Sequence, residues 1–173
     1  MPAVKFSHMN QDKLTPAPAW RFWVTFPDIP GSSVSGETLG FLVSRVTAAS
    51  KAIEIEPVPF NAGTRNFPTG WSTDVLTLTF FENTSYDVAL AFRSWIDKVI
   101  DDDGNFELPA NYKKEMKLEA LGYDGKTLVT YKWKDCMPQR QDGYDWDGSA
   151  TNHISPTLIV HVDTAVKPTS GSA

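Results

Sequence analysis

Side chains that could do catalytic or metal chemistry are few in this sequence and lie far apart. His8, His153 and His161 lack the HxxxH or HxH spacing that brings two imidazoles to one metal ion. Cys136 is the single cysteine; basic neighbours could lower its pKa, but a lone cysteine beside a methionine is more often simply buried. No GxSxG, P-loop, GxGxxG or HExxH motif occurs. We therefore expect no catalytic residue, no metal, no cofactor and no enzymatic activity.

Two acidic stretches have the composition of a calcium loop but not its spacing. In "DDDGNFE", residues 101–107, carboxylates alternate, yet the glycine is fourth rather than sixth and Tyr112 stands where the final glutamate belongs. "DGYDWDG", residues 142–148, fails the same test. Both stretches predict solvated acidic loops.

Basic residues do not form a nucleic-acid platform. The only local cluster, Lys113, Lys114 and Lys117, lacks the interleaved aromatics on which bases stack. The formal net charge is −5, whereas a protein that grips phosphate backbones needs a basic face. Specific nucleic-acid binding is therefore not expected.

Length and composition indicate one soluble globular domain. The chain has 173 residues, of which 41% are hydrophobic and 21% charged. A single cysteine excludes an intramolecular disulfide, and no run of residues predicts a signal peptide or a membrane span. We expect an N-terminal arm at residues 1–19, a β domain at 20–166 and a flexible tail at 167–173.

The elements that must position any site are mostly β-strands. Period-two alternation predicts about seven strands, at residues 20–26, 41–47, 51–58, 73–81, 116–121, 126–133 and 156–166. Asp124 and Gly125 form the dipeptide that a type I′ hairpin turn prefers. The fold class expected is mainly β (α+β), an antiparallel sandwich or partly open barrel that assembles through its sheet edges.

One helix is predicted at about residues 85–102. Thr84 or Ser85 is a suitable N-cap, and Gly104 follows as a stop. The helix should cover the sheet with one apolar stripe, formed by Val88, Phe92, Trp95, Ile96 and Val99.

Residues 57–73, "PVPFNAGTRNFPTGWST", are predicted to be an unusually long connector. They contain three prolines, two glycines and three large aromatics, with one charge. Connectors that only reverse the chain are about two to six residues long and polar. This stretch is therefore expected to bind something.

The order of segments from residue 54 onward resembles the tail tube proteins of contractile-tailed bacteriophages. That family is related in fold to the secreted tube protein of type VI secretion systems. The segments that carry the resemblance are "EIEPVPFNAG", "FPTG", "VLTLTFFE" and "AFRSWIDKVI", followed by the hairpin "MKLEALGYDGKTLVTYKWKDCMP".

The resemblance implies a structural subunit of a phage tail tube. Hexameric rings would stack into a hollow conduit for genome delivery, assembled in the host cytoplasm and located in the virion. The implied partners are other copies of the chain, a tail sheath protein, a baseplate initiator, a tape measure protein and a tail terminator. Double-stranded DNA would pass through a mildly acidic lumen without specific binding, and no membrane insertion is implied.

In this interpretation the long connector joins subunits or rings. The expected contacts are Phe60, Asn61, Gly63, Arg65, Phe67, Pro68, Gly70 and Trp71. The candidates for facing the lumen are Glu54, Glu56, Thr77 and Thr79. A baseplate tube initiator of the same fold is the alternative within this class, and a carbohydrate-binding β-sandwich that uses surface tryptophans is the alternative from another class.

Overall fold

A computed structural model gives the fold of residues 18–61, 63–144 and 153–171. Within these ranges the chain forms eight strands and three helices. Their bounds are β1 Phe22–Thr25, α1 Gly36–Leu42, β2 Val43–Thr47, β3 Lys51–Phe60, β4 Gly63–Thr73, β5 Leu76–Phe80, α2 Asp87–Val99, α3 Pro109–Tyr112, β6 Lys114–Leu121, β7 Thr127–Asp142 and β8 Thr157–Ser170.

Six of the strands form one antiparallel sheet in the order β1-β6-β7-β8-β5-β2. Alternate residues of its strands are buried on one side, which is why the period-two pattern was visible in the sequence. The sheet curls around this buried side as a nearly closed barrel, and β1 and β2 are its two unpaired edges. The predicted mainly β, partly open barrel is confirmed. We call this sheet, with its helices, the body.

Helix α2 covers the core of the body. Phe92 packs against Phe80 of β5 and against Phe26, with ring centroids 5.0 and 6.1 Å apart. The indole nitrogen of Trp95 donates a hydrogen bond of 2.7 Å to the carbonyl of Tyr112, so this buried ring leaves no polar atom unsatisfied. Of the predicted stripe, Val88, Phe92 and Trp95 are buried, and Ile96 and Val99 are half-buried. No helix in the described ranges is long and apolar enough to cross a membrane.

The start of α2 differs from the prediction of a Thr84 or Ser85 cap. Its N-cap is Tyr86, in the left-handed region with φ 56° and without a side-chain cap. The carboxylate of Glu82 instead accepts hydrogen bonds of 3.1 Å from the backbone N–H groups of Val88 and Ala89. The hydroxyl of Tyr144, just after β7, donates to the same carboxylate at 2.6 Å. Glu82 thus ties the positive end of the helix to the sheet.

A second helix, α1, occupies part of a predicted strand. Residues 36–42 are helical, so the strand predicted at 41–47 begins only at Val43. A Cβ on Gly40 would lie 2.4 Å from the carbonyl oxygen of Val24, and one on Gly36 equally close to that of Phe26. Glycine therefore permits α1 to contact the edge strand β1 backbone to backbone.

The predicted connector at 57–73 is wrong as a loop, because these residues belong to a β-hairpin. Strands β3 and β4 pair over their full length, from Lys51 with Thr73 to Phe60 with Gly63. One bulge, between Glu54 and Ile55, accommodates the extra residue in β4. We call residues 51–73 the hairpin.

Other predicted boundaries also move. Strand β7 continues to Asp142, beyond the strand end predicted at residue 133. Strand β8 continues to Ser170, into the residues predicted to form the C-terminal tail. In the predicted type I′ turn only Gly125 has a positive φ, 83°, and its N–H bonds to the carbonyl of Gly122, so the turn is of another type. The predicted arm lies mostly outside the described residues.

Candidate assembly surface

Cys136 and two of the three histidines weighed in the sequence lie in the described part of the chain. Cys136 is buried, and loss of hydration raises the pKa of its thiol to about 12, which keeps it protonated at neutral pH. His153 is exposed beside Ile154, and His161 lies on the outer face of β8 with Nε2 3.6 Å from Asp163. His8 lies outside the described residues. Among the residues described, no group of three or more His, Cys, Asp and Glu could hold a metal ion.

The acidic stretch at 101–107 closes on itself. The Asp101 carboxylate accepts hydrogen bonds from the backbone N–H groups of Asp103 and Asn105 and from the Asn105 side chain. These bonds, that from the Asn105 backbone first, lower the pKa of Asp101. Its oxygens are therefore occupied by the loop itself. The second acidic stretch, 142–148, lies largely outside the described residues.

The predicted lysine cluster is divided by the fold. Lys113 forms an ion pair with Asp163 of β8, and the Asp163 carboxylate raises the pKa of Lys113. Lys117 lies opposite Lys132 of β7. Lys113 and Lys117 therefore have different neighbours across the sheet.

The hairpin exposes many of its large apolar side chains to solvent. Every residue of β3 is exposed, and so is every residue of β4 except the half-buried Thr73. Isolated two-stranded ribbons are marginal in water, because neither face is buried. A contiguous exposed apolar surface of this kind marks an interaction site. All eight predicted contact residues lie on the hairpin or at its turn.

One face of the hairpin is apolar. The register pairs Ile53 with Trp71 and Ile55 with Pro68, so these side chains share a face. Ile53 and Ile55 are 65% and 61% exposed, and Trp71 is 51% exposed. The only charged group on this face is Lys51, whose Nζ lies 4.4 Å from the centre of the Trp71 ring. We call this the apolar face.

The opposite face combines carboxylates with aromatic rings. Glu56 pairs with Phe67 and Glu54 with Gly70, and the Arg65 guanidinium lies 4.5 Å from the centre of the Phe60 ring. A Cβ on Gly70 would come within 3.2 Å of the Glu54 carboxylate, so glycine makes room for that side chain. We call this the acidic face. The predicted contact residues are therefore divided between the two faces.

The hairpin is an extension of the sheet's own strands. Three residues join β2 to β3 and two join β4 to β5. At this bend the Ser50 hydroxyl bonds to the Asp74 carboxylate at 2.9 Å, and the Asp74 N–H to the Ser50 carbonyl at 3.0 Å. The Trp133 indole also donates to the carbonyl of Ala49. The Thr73 hydroxyl, at the end of β4, donates to the carbonyl of Asp163 in β8 at 3.5 Å. Together these bonds fix the root of the hairpin.

The four predicted lumen-facing residues lie in two different sheets. Thr77 and Thr79 are half-buried on the outer face of β5, beside Thr47 and Arg45 of β2. Glu54 and Glu56 lie on the acidic face of the hairpin. Their orientation towards a channel stays a prediction.

A second apolar surface lies where the barrel fails to close. A crevice of about 790 Å³ opens between the edge strands β1 and β2, and we call it the seam. Its walls are apolar, and Trp20, which is exposed, stands at its mouth. Residues that line it include Phe22, Val46, Leu118, Ala120 and Tyr131. No local pattern in the sequence indicates the seam, because the seam depends on which strands become neighbours.

No protein-family model and no curated protein matches this chain. Several solved structures are similar to it. The chain is similar to one in the sheath-tube complex of an extracellular contractile injection system (PVC) in its extended state, with TM-score 0.65 and 14% identity over 90% of this chain and 92% of that one. A chain of the baseplate of the anti-feeding prophage gives TM-score 0.66 and 17% identity over 90% and 97%. The chain has the tail tube fold. The resemblance seen in the sequence is thereby confirmed for the fold.

A third similar structure is that of a terminator. A chain of the PVC sheath/tube terminator in the extended state has TM-score 0.66 and 13% identity over 90% of this chain and 98% of that one. Because the identities are low, these similarities establish architecture and not residue roles. The neighbours are structural components of tube assemblies.

Proposed function

We propose that this chain is the subunit of the tube in a contractile, tail-like particle, and that its copies form hexameric rings that stack into a hollow conduit. The tube fold, shared over nine-tenths of this chain, carries the proposal. The exposed hairpin supports it independently. A two-stranded ribbon is only marginally stable in isolation, and other copies of the subunit would cover its apolar side chains. A sheath that surrounds the tube, and end proteins that start and stop it, are the proposed partners.

The role of the conduit is passive. Net charge −5 disfavours retention of a polyanion, so double-stranded DNA would slide through without specific binding. A passive conduit needs no reactive group. The burial of the Cys136 thiol and the hydrogen bonds of the Asp101 carboxylate within its own loop are compatible with this role. Delivery of a genome from a virion is the version of this function that the resemblance to phage tail tube proteins implies.

Electron microscopy of the purified protein tests the proposal. We expect rings with six-fold symmetry and tubes of uniform width that lengthen with protein concentration. Analytical ultracentrifugation should show a concentration-dependent shift from monomer to large species. A protein that stays monomeric at all concentrations, alone and with its sheath and baseplate partners, contradicts the proposal.

The second candidate function is that of a baseplate tube initiator. It is favoured by the similarity to a chain of the anti-feeding prophage baseplate, which is as close as the similarity to the sheath-tube complex. An initiator would form single rings that do not elongate on their own. Labelled protein would then be found only at the baseplate end of purified particles, whereas a tube subunit would be found along their whole length.

A further inference from the structure

The seam and the hairpin are complementary surfaces carried by the same chain. The seam is a concave apolar crevice between two strand edges that have no partner. The hairpin is a convex ribbon that carries two free strand edges and an apolar face. A strand edge without a partner is a template for pairing with another chain.

The hairpin cannot fill the seam of its own chain. The three residues between β2 and β3, and the two between β4 and β5, place its root at one end of β2. To reach its own seam the ribbon would have to reverse direction within those residues, and the Ser50–Asp74 contact and the Trp133 bond to Ala49 hold them. The partner must therefore be another copy.

The two sides of the seam differ in charge. Val46 pairs with buried Leu78 and so lies on the core side of the sheet, whereas Arg45 pairs with Thr79 and lies on the outer side. On β1, Phe22 lies on the same side as buried Val24. Just before β1, the Arg21 guanidinium donates to the carbonyls of Gly122 and Tyr123. The seam is thus apolar inside and basic outside, and no carboxylate is among the described residues that line it.

The hairpin has the matching polarity. Ile53, Ile55 and Trp71 form its apolar face, with Lys51 at the root over the Trp71 ring. Glu54 and Glu56 lie on the other face, which also carries Arg65 nearer the turn, over the Phe60 ring. Among the described residues neither carboxylate takes part in an ion pair. A ribbon placed beside β2 with its apolar face towards the core brings Glu54 and Glu56 to the side on which Arg45 lies.

Resting on the proposed function, we infer that the seam of each copy receives the hairpin of a second copy, apolar face inward beside Phe22 and Val46 and acidic face outward beside Arg45. The two surfaces are different, so the contact is head-to-tail. A head-to-tail contact leaves one free seam and one free hairpin on every open oligomer, and it ends only when a ring closes. One contact of this kind is enough to build a ring.

The test uses charge reversal in two separate full-length chains. One carries Arg45→Glu and the other carries Glu54→Arg with Glu56→Arg. All three positions are exposed, so both variants should melt like the wild type. Each variant alone opposes like charges at every contact, and we expect its threshold concentration for assembly to rise at least tenfold. A 1:1 mixture restores opposite charges at every contact when the two chains alternate, and it should assemble close to the wild-type threshold.

Lys134→Glu is the matched control, because Lys134 is exposed on β7 and does not line the seam. It should assemble like the wild type. The inference is overturned if either variant assembles alone as readily as the wild type, or if mixing gives no recovery. It is also overturned if deletion of residues 1–17 alone abolishes assembly while both charge variants assemble. That result would mean that residues 1–17, and not the hairpin, bind in the seam. Failure of the wild type to form rings in any setting counts instead against the proposed function.

Discussion

Two tryptophans of this chain show how differently its two regions use the same residue. Trp95 in the body is fully buried and has its indole N–H bonded, while Trp71 on the hairpin is 51% exposed and touches one lysine. The body closes its core within one chain. The hairpin leaves its apolar surface open, which only another molecule can cover. Stability and assembly should therefore respond to different mutations.

The largest loss of stability is expected for Trp95→Ala. Removing a large buried aromatic leaves a cavity and costs about 3–5 kcal/mol. Urea unfolding followed by circular dichroism measures the loss, with Trp71→Ala as the matched control. Equal losses of stability for the two variants would contradict the idea that the body, and not the hairpin, determines the stability of the free subunit.

A smaller loss is expected for Glu82→Ala, which removes the carboxylate that accepts from the N–H groups of Val88 and Ala89 and from the hydroxyl of Tyr144. The cost should be about 1–3 kcal/mol, because these groups lose a charged acceptor. Glu82→Gln keeps one acceptor oxygen and should lose less. Glu56→Ala, on the hairpin, should stay within about 0.5 kcal/mol of the wild type. A Glu82 variant as stable as Glu56→Ala would show that the contact contributes nothing.

The ion pair between Lys113 and Asp163 should contribute less, about 1 kcal/mol or below, since it is partly exposed. Asp163 raises the pKa of Lys113 above its ordinary 10.5. The contribution is therefore complete below pH 10.5 and is lost as the pH rises through the raised pKa. The stability difference between wild type and Asp163→Asn should shrink over that alkaline range, while Asp103→Asn shows no such trend. A difference that grows with pH contradicts the assignment.

The smallest change in stability is expected for Phe67→Ala and Trp71→Ala, within about 0.5 kcal/mol, because both side chains are exposed. These variants should nevertheless polymerise poorly, as judged by electron microscopy and sedimentation. Phe106→Ala is the matched control, since that ring is exposed on the body and should not affect assembly. Normal tubes from both hairpin variants would mean that the hairpin is an ordinary surface feature.

Sequence reasoning succeeded where a pattern is local and periodic. The stripe from Val88 to Val99 and the alternation in β5 and β8 are such patterns, and they led to the helix and the sheet. It found most of β3, as the strand predicted at 51–58, but missed the end of β3 and all of β4. Pro59 and Pro68 argue against a strand there, although prolines are tolerated on a ribbon whose outer edges face water. It failed at α1 because Gly36 and Gly40 lower helix propensity and are needed only for the contact with β1.

The candidate site was found only in part for a related reason. The aromatics and glycines of residues 57–73 marked an interaction surface, but their division between two faces follows from the register with β3, including one bulge. The seam follows from β1 and β2 lying at opposite ends of the sheet order. The N-terminal N–H groups of α2 are bonded by Glu82, which is separated from the helix by the non-helical residues 83–86. None of these is encoded in adjacent residues.

The hairpin prolines also bear on how the free subunit survives in solution. Because proline has no N–H, Pro57 and Pro59 must sit where β3 directs its backbone away from β4, and Pro68 does the same for β4. The outer half of the ribbon thus lacks the regular donors from which a cross-β stack grows. A concentrated pool of unassembled chains is protected from fibrillar precipitation, while the root half, with the N–H groups of Ile53 and Ile55, keeps its capacity to pair.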